Sequence, residues 1–166
     1  MIKRYIFILL LSVTLLSAYQ SQEELRSVIV GKVAKYISWP RSQRQSFVIT
    51  LLNGHNFELF KRIYKNKTIH NKSVEIHYIE NIKELQATDI LYIATQNSKN
   101  LLEILQQVPK KGVLTVSSIR GFAQKGGILQ IYFSSQKARL KINLHVAKQE
   151  HLEIKSSLLR IADVIR

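Results

Sequence analysis

The sequence predicts an α/β fold: a single three-layer α/β/α domain with a mixed central sheet and a C-terminal hairpin plus helix. Three observations predict it. Short apolar, β-branched runs alternate with stretches whose apolar residues recur at helical spacing. That alternation implies parallel strands joined by right-handed crossovers. After Gly127 the pattern changes to two strand-like runs, Ile128–Phe133 and Ala138–Ile142, around Ser134-Ser135-Gln136-Lys137. Such a pair is a hairpin, so the sheet is mixed. Finally, no repeat, low-complexity tract or linker interrupts the 166 residues. The roughly 146 residues after an N-terminal leader suit one domain with its own core.

Each element follows from its pattern. Leu25, Val28, Ile29, Val33, Tyr36 and Ile37 share helical spacing, which predicts an amphipathic helix over 22–38. Pro40 stops it, because the residue before a proline avoids helical geometry. Phe47–Leu52 is short, apolar and partly β-branched, the pattern of a buried strand. Asn53-Gly54 turns the chain, and Phe57, Leu59, Phe60 and Ile63 predict a second helix. Val74, Ile76 and Tyr78 alternate with Glu75, His77 and Ile79, as in a half-buried strand. Ile90–Ala94 is another buried strand. Leu101, Leu102, Ile104, Leu105 and Val108 predict a helix over 98–107, broken by Pro109 and Gly112, and Val113–Val116 is the next strand. A closing helix is expected over 156–165, with Leu158, Leu159, Ile161, Ala162 and Ile165 on its apolar side.

Residues 1–20 read as a secretory signal peptide, leaving a domain over 21–166. Lys3 and Arg4 precede an apolar run from Tyr5 to Leu16, and small and polar residues follow it. The run is shorter than the roughly 20 residues a spanning helix needs. No small-x-small pair fixes the cleavage point, so Ala18, Gln20 and Ser21 all stand as candidates. An uncleaved anchor is the alternative. The lipoprotein route needs a cysteine, and the chain has none. Stability therefore comes from the core alone, and thiol redox control is excluded. The net charge of +14 favours nucleic acid, anionic membrane or an acidic protein as partner. Export argues against nucleic acid. The basic residues are scattered, so a solvated basic surface is the competing explanation.

No constellation points to catalysis, a cofactor or a metal. His55, His70 and His77 lie in different predicted elements, and His145 and His151 fall on different helical faces. Gly121-Phe122-Ala123-Gln124-Lys125-Gly126-Gly127 lacks the Gly-Lys-Ser/Thr order of a phosphate loop and leads into a strand. Its glycines read as a loop that needs positive φ before the hairpin. The serine pairs Ser117-Ser118, Ser134-Ser135 and Ser156-Ser157 sit in no nucleophile elbow. Ser156 or Ser157 reads as a helix N-cap, and Asp89 as a turn residue. Trp39, the one tryptophan, either anchors its helix end on the core or forms an interface hot spot.

Five blocks in order resemble the YfiR family of periplasmic regulators, over Arg26 to Ile165. They are Lys32–Pro40 with its terminal Trp39-Pro40, Asp89–Ile93, Val113–Ser117 leading into Gly121-Phe122 and Gly126-Gly127, Ile142-Asn143, and Ser156–Ala162 with its Ser156-Ser157 pair. The resemblance implies a secreted α/β regulator that is not an enzyme. It implies repression of an inner-membrane diguanylate cyclase through that protein's periplasmic sensory segment, with lower cyclic-di-GMP and less biofilm. It also implies an outer-membrane lipoprotein that sequesters the repressor. Trp39, Pro40, Gly121, Phe122, Gly126, Gly127, Asn143, Ser156 and Ser157 are the motif positions that would support or form a partner surface. Phe122 would either present an apolar anchor there or plug the core. Two departures stand out: the family often has a cysteine near Thr88, and an acidic residue where this chain has Ser118.

The expected function is thus a periplasmic, non-enzymatic repressor without cofactor, with a homodimer as the default symmetric assembly. The alternative is a basic periplasmic module that binds an anionic envelope component or a small ligand, without a cyclase partner.

Overall fold

A computed structural model describes residues 22–40, 44–110 and 112–166; the signal-like segment 1–20 lies outside the described residues. The chain opens with helix α1 (22–34), whose Val30, Val33 and Ala34 are buried. Strands β1 (Ile37–Ser38) and β2 (Ser46–Leu52) follow, then helix α2 (Phe57–Tyr64), β3 (Thr68–Ile69) and β4 (Lys72–Ile79). Next come β5 (Ile90–Ile93), α3 (Leu101–Gln107) and β6 (Leu114–Ser117). The chain ends with β7 (Leu129–Ser134), β8 (Lys137–Asn143), α4 (Leu144–Gln149), β9 (Glu153–Ile154), α5 (Ser156–Leu159) and β10 (Asp163–Ile165).

Eight strands form one mixed sheet in the order β10-β8-β7-β6-β5-β2-β4-β3. β4, β2, β5, β6 and β7 run parallel, while β3 and β8 are antiparallel to their neighbours β4 and β7. The chain passes from β2 outward to β4, then returns to the other side of β2 for β5, so strand order reverses between β2 and β5. The layers are the three expected. Phe47, Ile49, Leu51, Ile90, Tyr92, Leu114 and Val116 pack with Val30 and Val33 of α1, Phe60 and Tyr64 of α2 and Ala147 of α4. On the opposite face Leu52, Leu91 and Ile93 meet Leu101 and Ile104 of α3, together with Ile119 and Phe122. A strand covered on both faces reads as a continuous apolar run, which is why Phe47–Leu52 and Ile90–Ile93 are buried throughout.

Three elements differ from expectation. α1 stops at 34, four residues short of 38, because Ile37 and Ser38 pair antiparallel with Ile154 and Glu153 of β9. The distant strand offers β-branched Ile37 a ladder that competes with the helix. The closing helix over 156–165 is a single turn, α5, and Asp163–Ile165 instead pairs parallel with Lys141–Asn143 of β8. Ile161, expected on its apolar side, is 71% exposed. The N-cap of α5 is Lys155 and carries no side-chain cap hydrogen bond, so neither Ser156 nor Ser157 caps it. Finally, the β7–β8 hairpin closes on two residues, not four: Ser134 pairs with Lys137. Ser135 and Gln136 have φ of 48° and 62°, as a type I′ turn requires.

Candidate functional site

The motif positions separate into two packed groups and a serine pair, Ser156 exposed and Ser157 half-buried. The first group is a corner at the amino ends of β2 and β5. Asp89 immediately precedes β5 and is 5% exposed. One of its carboxylate oxygens accepts from the Arg44 guanidinium at 2.5 Å. The other accepts from the Val48 amide at 2.8 Å. Its backbone carbonyl accepts from the Leu114 amide at 2.9 Å and from Trp39 Nε1 at 3.2 Å. Asp89 therefore stitches β2, β5 and β6 together where their ladders begin, well beyond the role of a turn residue. Trp39 lies half-buried with its ring edge-on to Phe47, centroids 5.2 Å apart, and 5.6 Å from His70. It follows β1, where the sequence suggested a helix end. With Pro40, Arg44, Asp89, Pro109 and Gly112 it lines a cleft of about 500 Å³. Thr88 uses its buried hydroxyl within the sheet, 2.9 Å from the Thr50 hydroxyl.

The second group is the glycine loop with Asn143. Phe122 is fully buried against the α3 face, so of its two readings the plug of the core is the one observed. A Cβ at Gly127 would lie 2.1 Å from that ring. Gly126 has φ +100° and Gly121 φ +76°, conformations in which glycine carries no steric penalty. Asn143 ties the loop down: its Nδ2 donates to the Ala123 carbonyl at 2.9 Å, and its Oδ1 accepts from the Val146 amide at 3.0 Å, capping α4. The loop is thus a structural unit. Ser156 and Ser157 lie apart, just beyond the point where the Lys155 amide donates to the Tyr36 carbonyl at 2.9 Å.

A further crevice opens at the carboxyl ends of the strands where their order reverses, a favoured ligand position in open α/β sheets. Its volume is about 180 Å³, and Glu23, His55, Asn56, Gln96 and Ser118 are among its walls. Glu23 is already engaged by Arg26 and by Asn56 Nδ2. These residues come from four separate segments, and no local motif marks them. Among the described residues no group of three or more potential ligands is placed to hold a metal, and no helix is long and apolar enough to cross a membrane.

One buried acid carries a testable consequence. Glu150, at the end of α4, is 7% exposed, and its Oε2 has no partner among the described residues. Burial pushes its pKa above the ordinary 4.5, while the Gly112 amide and the charges of Lys110 and His151 pull back. The folded state then binds its proton more tightly than the unfolded chain. The associated stability is fully present below the unfolded pKa and is lost as pH rises through the folded one. Glu150→Gln should therefore lose less of its melting temperature than wild type between pH 4.5 and 8. Parallel thermal scans across that range check it, and equal slopes would assign the pH dependence to other groups.

Solved structures share this architecture. A conserved domain protein of Vibrio cholerae O1 biovar El Tor superposes with a TM-score of 0.59 at 11% identity, over 86% of this chain and 60% of that one. A Streptococcus pneumoniae protein, described as an ABC domain in complex with L-tryptophan, gives 0.60 at 12% identity, over 81% and 59%. The chain therefore spans about 60% of the length of these structures, and at such identities the likeness is one of fold. No curated protein matches the chain in sequence. The YfiR/HmsC-like family model matches residues 23–163, from α1 to the first residue of β10, so the chain belongs to the YfiR/HmsC-like family.

Proposed function

We propose that this chain is an exported periplasmic repressor of a membrane diguanylate cyclase. It binds the cyclase's periplasmic sensory segment and holds cyclic-di-GMP output low, and with it biofilm formation. The family match over residues 23–163 carries this reading. Residues 1–20 direct export and are removed, leaving a single domain over 21–166. A repressor of this kind needs no reacting group. It shifts its target by binding one conformation better than another, and only by that difference in affinity. The Trp39-Pro40 cleft is the proposed partner face among the motif positions. There a half-buried indole and an exposed proline sit on a corner held rigid by Asp89 and Arg44, and aromatic anchors in well-packed settings dominate interface energetics. Gly121, Phe122, Gly126, Gly127 and Asn143 support the fold rather than form that face, and an outer-membrane lipoprotein would compete for the repressor.

Deleting the gene should raise cyclic-di-GMP and surface attachment, and re-expressing the exported form should lower both. A form lacking residues 1–20 should not complement, because it never meets the periplasmic segment. Unchanged cyclic-di-GMP in the deletion strain across growth conditions would sink the cyclase reading and leave the envelope- or ligand-binding one.

A further inference from the structure

A groove runs between α1 and the segment joining α2 to β3, on the far side of α1's buried face. Gly31 makes it: a Cβ there would lie 2.5 Å from the Tyr64 hydroxyl, so only glycine lets α2 come this close to α1. Tyr64 closes the floor, donating its hydroxyl to the Ser27 carbonyl at 2.6 Å, and burial pushes its pKa up so that it stays a donor. Val28, Ile63 and Ile69 complete an apolar floor, and Lys32, Lys35 and Lys67 stand at the edge. Among the described residues no carboxylate lines the groove, and none of the three lysines is in an ion pair. Lys32, on α1, and Lys35, just past its end, are both exposed, on the side of exposed Leu25 and half-buried Val28.

Size and charge together select an occupant. The volume is about 170 Å³, below the roughly 300–1,000 Å³ of small-molecule pockets. It suits one apolar side chain rather than a whole ligand. Three cations around that seat favour carboxylates on either side of it, since complementary charge at a rim sets partner choice and encounter rate. A purely polar polyanion would leave the apolar floor wet. The groove also joins the Trp39 corner: His70 Nε2 lies 3.0 Å from the Ala34 carbonyl of α1, and its ring contacts Trp39.

We propose that this groove docks an acidic, amphipathic segment of a partner protein. One apolar side chain seats between Val28, Ile63 and Ile69, and flanking carboxylates meet Lys32, Lys35 and Lys67. The identity of the partner rests on the repressor reading, in which the segment belongs to the cyclase's periplasmic part; the chemistry of the groove does not.

The purified exported protein is titrated with a labelled short peptide of one leucine flanked by glutamates. The lysine-for-glutamate peptide and phosphatidylglycerol vesicles are titrated alongside. The acidic peptide should bind, the basic one should not, and Lys32→Glu/Lys67→Glu should weaken binding about tenfold or more without changing the melting temperature. Val28→Asp should weaken it too, and its loss should persist at salt that screens the lysines. Equal binding of both peptides, unchanged affinity in the double variant, or binding to vesicles but not peptide overturns the proposal. In cells, the exported Lys32→Glu/Lys67→Glu form should fail to lower cyclic-di-GMP in the deletion strain. Peptide binding that falls in the variant supports the groove whatever the deletion does. A deletion without effect on cyclic-di-GMP overturns only the cyclase as the source of the segment.

Discussion

Gly127→Ala should destabilise the protein by about 3 kcal/mol or more, comparable to losing a buried phenylalanine. The new Cβ would sit 2.1–2.4 Å from three atoms of the Phe122 ring. The backbone cannot retreat easily, because the Gly127 amide donates to the Phe122 carbonyl at 3.0 Å and the Ile128 amide to Thr115 Oγ1 at 3.0 Å. The ring must therefore leave its seat against α3. For a domain of this size that is a drop of roughly 6–12 °C in melting temperature. Backbone strain plays no part, since Gly127 has no positive φ. Gly126 is the reverse case: at φ +100° it has nothing nearer than Leu105 at 4.0 Å. Gly126→Ala should cost about 1–3 kcal/mol through strain alone. Phe122→Leu separates the two mechanisms. It should relieve Gly127→Ala and leave the cost of Gly126→Ala unchanged, which a double-mutant cycle reads directly. A wild-type melting curve for Gly127→Ala would show that the ring does not set this position.

The same pair of glycines marks how far the sequence could be read. Their spacing ahead of a strand identified a structural loop, but the reason for Gly127 lies in a ring five residues earlier that folds back beneath it. The doubly covered strands were legible because burial on both faces leaves an unbroken apolar run, as at Phe47–Leu52. The two-residue strands β1 and β9 were not. Their signal is each other, across more than a hundred residues, and a two-residue stretch has no period. β10 was misread for a related reason: Leu158, Leu159, Ile161 and Ala162 mimic a helical face, yet the open edge of β8 captures Val164 and Ile165. Of the two tight turns, the one between β7 and β8 was placed but not its two-residue form, and the one between β3 and β4 was not seen. His70-Asn71 and Ser135-Gln136 adopt positive φ without the Asn-Gly or Asp-Gly signature that announces such turns.

Of the candidate site, the motif order brought Trp39 and Pro40 into view but not what holds them. The Trp39–Asp89 and Arg44–Asp89 contacts span 50 and 45 residues, and a lone aspartate before a strand looks like any turn residue. The lysine groove was equally silent. Lys32 and Lys35 read as a solvated helix face until Gly31 admits α2 and sets Lys67 and Ile63 opposite them.

Asp89→Ala should cost about 2–4 kcal/mol and should disorganise the Trp39 corner. Removing the carboxylate orphans the buried Val48 amide, which by itself costs roughly 1–3 kcal/mol. It also takes a charge-assisted partner from Arg44. Breaking a fully buried pair would add about 3–5 kcal/mol, but the Arg44 side chain is 30% exposed and can recover water, so the full penalty does not apply. Asp89→Asn keeps the shape and one acceptor, so it should cost less than alanine, and the difference measures the amide cap against the charge. Tryptophan fluorescence gives the local readout, since Trp39 is the sole tryptophan and its indole donates to the Asp89 carbonyl. In Asp89→Ala the emission should shift towards that of solvent-exposed indole below the melting transition. Unchanged emission with normal stability would mean that Asp89 does not hold the corner. If instead the corner loosens in a protein that still folds and is exported, repression should weaken with it, because an interface anchor acts only when its geometry is set in advance.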